Sequence, residues 1–117
     1  MRECVIYKTM NIIGKKWTVP ILLEIYKGKR KKRFMEIKKG MEEITPKILS
    51  TRLKELEKEG LIKKEVDNST IPIKCEYSLT ESGNDLVVRV DHIKKWALKW
   101  KFKNKECGQT LCKNCEN

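Results

Sequence analysis

The chain has 117 residues, enough for one domain with at most a short appendage. Its 27 lysines and arginines against 16 acids leave +11, a balance that favours a polyanionic partner, nucleic acid or an anionic membrane surface. The longest apolar run, Val19 to Leu23, is far short of the ~20 residues of a membrane span, and five cysteines are too few and odd in number for a disulfide scaffold.

The N-terminus "MRECVIYKTM" has charges beside each apolar stretch and no small-residue cleavage site, so the expectation is a cytoplasmic protein without a membrane anchor. Val5, Ile6, Met10 and Ile13 have helical spacing that stops at Gly14. A second helix is expected from Trp17 or Thr18 to Gly28, with Pro20 in its first turn and Ile21, Leu22, Ile25 and Tyr26 on one side. From Lys27 to Lys39 eight basic residues face one acid, Glu36; residues 29–32 form a basic connector with room for a very short strand. A third helix runs from Phe34 to about Met41.

"TPKILSTRLKELEKEG" is the fourth helix. Thr45 is its N-cap, Pro46 its first residue and Gly60 its left-handed terminus. Leu49, Leu53 and Leu56 make a narrow dry stripe opposite Lys47, Ser50, Thr51, Lys54 and Lys58. The period then changes to two. Residues 61–67 read as a strand, and Ile73, Cys75, Tyr77 and Leu79 alternate with Lys74, Glu76 and Ser78, giving a hairpin with one dry face and "NSTIP" at its tip. A long last helix starts at Thr80 and runs to about Trp100. Its Leu86, Val90, Ile93, Ala97 and Trp100 are spaced four, three, four, three, flanked by Val87 and Trp96. Such a seam packs along another helix, either in the protein's own core or, as favoured here, at a dimer interface.

The fold class is therefore mainly α with a small β-hairpin. A short helix, a capped amphipathic helix and a hairpin make a winged helix-turn-helix, whose second helix enters the DNA major groove. Thr45, Lys47, Ser50, Thr51 and Lys54 supply the mixture of short polar and long cationic groups that a groove admits. Arg52 either joins them or pairs with an acid of a neighbouring helix. Lys32 and Arg33 before the third helix, Lys64 and Lys74 on the wing, and Asn68, Ser69 and Thr70 at its tip are the expected phosphate and wing contacts. The partner is double-stranded DNA.

The blocks "IGKKWTVPILLEI", "RFMEIKKGMEEITPKILSTRLKELEKEGLI" and "YSLTESG" resemble, over residues 12–101, those of the HxlR family, small MarR-like winged helix regulators of bacteria and archaea. The resemblance implies a dimeric, sequence-specific transcription regulator that dimerises through its N-terminal helix, with Val5 and Ile6, and its long C-terminal helix. It implies a recognition helix at Pro46 to Glu59 and a wing at 61–79. Composition and the loss of periodicity divide the chain into a domain over 1–101 and a polar Cys-rich tail at 102–117. Many members carry a cysteine ahead of the first helix, in some a sensor of oxidants; Cys4 is similar in position but lacks the proline that often follows.

"CGQTLCKNC" places Cys107, Cys112 and Cys115 in a C-x4-C-x2-C pattern. Its readings are free thiols, a redox disulfide, or a zinc or iron–sulfur site short of a fourth ligand. No resident cofactor is expected. One histidine, His92, and the absence of nucleophile-elbow, zincin, dinucleotide and phosphate-loop motifs argue against an enzyme. Two rivals to a DNA-binding regulator stand: a sensor whose tail cysteines do the primary chemistry, and a protein–protein adaptor on a winged fold. The adaptor reading predicts a neutral or acidic recognition face, which Lys47 and Lys54 oppose.

Overall fold

The computed structural model describes residues 2–28, residues 30–104 and Gly108. Among them the chain forms α1 (Val5–Ile13), α2 (Thr18–Tyr26), β1 (Lys32–Arg33), α3 (Phe34–Gly40), α4 (Pro46–Lys58), β2 (Ile62–Asp67), β3 (Lys74–Leu79) and α5 (Glu81–Trp100). Every expected helix is present, and a two-residue strand starts at the last residue of the basic connector and ends one residue beyond it.

Helix α2 is the centre of the molecule because its apolar residues recur at the helical repeat. Thr18, Ile21, Leu22 and Ile25 are buried, and the helix touches α1, α3, α4, α5 and β3. Against it pack Ile37 of α3, Met41 and Ile44 of the following turn, Leu49, Leu53 and Leu56 of α4, and Val87 of α5. Full burial of a Leu or Ile side chain contributes about 1.5–3 kcal/mol, so this cluster is the principal source of stability.

The sheet has the order β1-β3-β2, all antiparallel. Its root is locked to both flanking helices. Thr80 Oγ1 donates to the Gly60 carbonyl (2.6 Å) and accepts from the Gly83 amide (3.1 Å), while the Thr80 amide donates to the Leu61 carbonyl (3.1 Å). Gly60 takes φ +76°, the left-handed C-terminal cap, and a Cβ on Gly83 would lie 2.1 Å from the Leu61 carbonyl oxygen. Only glycine lets α5 start that close to β2.

Three expectations need correction. The hairpin is dry only near its root: Ile62 and Tyr77 are buried, but Val66 and Ile73 are exposed because nothing in the body reaches that far. Ser78, on the expected wet face, is buried. Val87 belongs to the core rather than to an open seam, and Leu86 packs against the same core. Cys75 is half-buried beside the core. Among the described residues no helix is long and apolar enough to cross a membrane.

Candidate nucleic-acid interface

Helix α4 is aimed by its own ends and by the turn before it. Met41 and Ile44 are buried and plug the α3–α4 turn, with the Ile44 amide donating to the Met41 carbonyl (3.2 Å). Thr45 Oγ1 accepts from the Ile48 amide (3.2 Å), satisfying a donor that the helix itself leaves open. With the leucine stripe buried, rotation about the helix axis is fixed. Lys47, Thr51 and Lys54 then stand exposed on the outer side, and Ser50 is half-buried beside them. The Thr51 hydroxyl donates to the Lys47 carbonyl (3.0 Å), and neither the Lys47 nor the Lys54 ammonium is in an ion pair with the described residues.

Arg52 is differently placed. Its Nε donates to the Lys16 carbonyl (3.1 Å) and its Nη1 lies 3.3 Å from Glu55 Oε1, whose other oxygen is 3.5 Å from Lys15 Nζ. The guanidinium thus ties α4 to the α1–α2 connector, where Trp17 adopts φ +78°, a left-handed conformation strained for a bulky residue. Its acid is on the same helix, not a neighbouring one.

The basic connector is also divided. Lys32 points inward, its ammonium donating to the Glu24 carbonyl and lying 3.8 Å from Glu24 Oε1, whereas the Arg33 side chain is exposed. The Arg33 amide donates to Glu36 Oε1 (3.1 Å), which caps α3. On the wing, Lys64 and Lys74 are exposed. Lys31 bonds Glu65 at 2.9 Å, which raises the Lys31 ammonium pKa and holds the Glu65 carboxyl below its usual range. At the tip, the Ser69 hydroxyl and amide donate to Asp67 Oδ1 and lower that carboxyl, and Thr70 Oγ1 donates to the Pro72 carbonyl (3.1 Å). Two of the three expected tip donors are thereby engaged within the tip.

Two exposed apolar residues were not expected. Ile48 sits next to Lys47 and Met35 lies on α3, both exposed. Ile48 had a signal, since it falls outside the Leu49–Leu53–Leu56 stripe. Elsewhere Cys4 is exposed at the N-cap of α1, and Lys8 beside it pairs with Glu3 (3.5 Å). No group of described residues could hold a metal ion, and Cys107, Cys112 and Cys115 lie outside the described residues.

A short helix, a plugged turn, a capped helix with one dry and one cationic face, and a hairpin define a winged helix-turn-helix transcription regulator. The chain belongs to the HxlR-like helix-turn-helix family, whose sequence model matches residues 12–105. It is 39% identical over 93 residues to YvaP of Bacillus subtilis, an uncharacterised helix-turn-helix-type transcriptional regulator, covering 80% of this chain and 83% of that protein. Among solved structures, YtcD of B. subtilis is similar with a TM-score of 0.76 and 38% identity, over 82% of this chain and 95% of that one. The reduced form of the regulator YodB of B. subtilis is similar with a TM-score of 0.75 and 30% identity, over 87% and 98%; YodB is also known diamide-treated and quinone-bound.

Proposed function

We propose that the chain binds a pseudo-palindromic operator as a homodimer in the cytoplasm. The observation that carries this reading is the outer face of α4, where Lys47, Thr51 and Lys54 are exposed on a helix whose opposite face is wholly buried. The N-terminal half of α4 enters the major groove, Lys47 and Lys54 reach guanine or phosphate, Thr45, Ser50 and Thr51 sit near base edges, and Ile48 meets a thymine methyl. Arg33, Lys64 and Lys74 contact phosphate, with Asn68 at the wing tip. Arg52 holds the helix at its angle instead of touching DNA, and Lys32 supports the connector from inside.

The dimer forms through α1, where Val5, Ile6 and Met10 are exposed, and through the distal part of α5, where Val90, Ile93, Trp96, Ala97 and Trp100 remain uncovered or half-covered by the protomer. Two copies of α4 then lie about 34 Å apart, one turn of B-DNA. Residues 1–101 form the binding and dimerisation unit and 102–117 an appended tail. No catalytic role is assigned.

The test is a gel shift with the upstream region of the protein's own gene at two salt concentrations. Lys47→Ala/Lys54→Ala should weaken binding and flatten the log–log salt slope by up to about 0.9 per lost phosphate contact. No salt-sensitive binding of the wild type to any duplex would overturn the reading.

A second reading, thiol-dependent control of that binding, rests on the exposure of Cys4 at the start of α1, within the proposed dimer surface, and on the likeness to YodB. Labelling of Cys4 no faster than a free thiol would count against it.

A further inference from the structure

Ile71 is fully exposed, at 101% of its reference area, at the apex of the wing. Val66 on β2 and Ile73, the residue just before β3, are exposed as well. Isolated apolar side chains on a surface need no explanation, but three on one tip far from the core do. Pro72 follows Ile71, so the apex pairs a side chain stiff at χ1 with a residue of fixed φ.

The apex is also built in place. Asp67 receives the amide and hydroxyl of Ser69, and the Thr70 hydroxyl closes on the Pro72 carbonyl. These bonds hold the apex residues on both sides, so little freedom is lost when they are buried against a partner. Asp67 stands directly opposite Lys74 in the strand register, and lower down Glu65 is bonded by Lys31 and flanked by Lys63. The charges of the wing therefore nearly cancel at its end. Beyond the phosphate contacts proposed for Lys64, Lys74 and Asn68, the apex itself carries no excess charge, so its contact is made by shape and apolar surface.

Resting on the DNA-binding reading, we propose that Ile71 and Pro72 form an apolar wedge that enters the minor groove, presses into a base step and bends the operator. The minor groove is about 6 Å wide, enough for one branched side chain at the end of a two-stranded ribbon. Apolar wedges of this chemistry unstack base steps and kink the duplex toward the major groove. Bending carries the phosphates flanking the step toward Lys64 and Lys74, which are exposed on the two strands of the wing. The wing thus selects sequence through the ease with which a step opens, while α4 reads base edges.

The experiment uses the full chain and a duplex selected by the wild-type protein from a random pool, labelled at both ends for energy transfer. Wild type should shorten the end-to-end distance on binding. Ile71→Ser should bind about tenfold more weakly, from the loss of one apolar side chain's burial, and leave the duplex straighter, with a shallower salt slope as the phosphates no longer reach Lys64 and Lys74. Ile71→Met should retain the bend, whereas Lys64→Ala should retain the bend and lower the slope by about 0.9. A wild-type complex that leaves the duplex straight, or an Ile71→Ser complex as bent and as tight as wild type, would overturn the wedge and leave DNA binding by α4 standing. A change in oligomeric state of Ile71→Ser without DNA would overturn it too, by assigning the tip to a protein contact. Selection of no duplex at all would instead defeat the DNA-binding reading itself.

Discussion

Helices α4 and α5 carry the same kind of apolar stripe and meet opposite fates. In α4 the stripe of Leu49, Leu53 and Leu56 is buried completely within the protomer. In α5 only Gly83 and Val87 are buried, and toward the C-terminus Ile93, Trp96 and Trp100 stand 59%, 56% and 65% exposed. The difference lies in what each stripe faces. The α4 leucines close on a core whose centre is α2, while the far half of α5 runs past the end of that core. Three large apolar residues open over two turns form the kind of patch that marks an interaction surface. One stripe serves the fold, and the other is the one we propose for assembly.

Leu53→Ala should break the first half of that contrast with the largest effect. It empties a fully buried site and should cost about 2–5 kcal/mol, read as a lower urea midpoint with an unchanged slope and with loss of DNA binding as a consequence. Ile93→Ser/Trp96→Ser tests the second half. The double variant should sediment as a monomer, and its melting midpoint should no longer rise with protein concentration as the wild type's should. If the wild-type midpoint is independent of concentration and the variant is equally stable, the two stripes do not differ in role. The smallest effect is expected at the start of α4. Thr45→Ala removes the side-chain acceptor of the Ile48 amide and should cost about 1 kcal/mol, with a matching rise in amide exchange confined to the first turn.

The candidate site was legible where local chemistry decides it. Thr45, Pro46 and Gly60 bracket α4, and the leucine spacing assigns its dry side, so the outward position of Lys47, Thr51 and Lys54 follows without any long-range information. The division of Lys32 from Arg33 did not follow. Two adjacent cations in a strand point to opposite faces, but which face is inward depends on Glu24, eight residues away on α2. Arg52 was ambiguous for a related reason: its principal partner is the carbonyl of Lys16, 36 residues earlier, presented by a connector bent through the left-handed Trp17. The wing misled more simply. Alternation marks two faces along the whole hairpin, yet the body covers only the root, so Ile73 is exposed and Ser78 buried.

The sequence by itself determined the element order, the caps, the basic balance and the dry and cationic faces of the helix proposed to meet DNA, because each depends on contacts within about four residues or on composition. Only the tertiary structure decided which cations stay available, how far the core extends along α5 and the wing, and that the wing ends in an open isoleucine. Those outcomes depend on where distant elements stop, and periodicity records which face of an element is apolar without recording what lies against it.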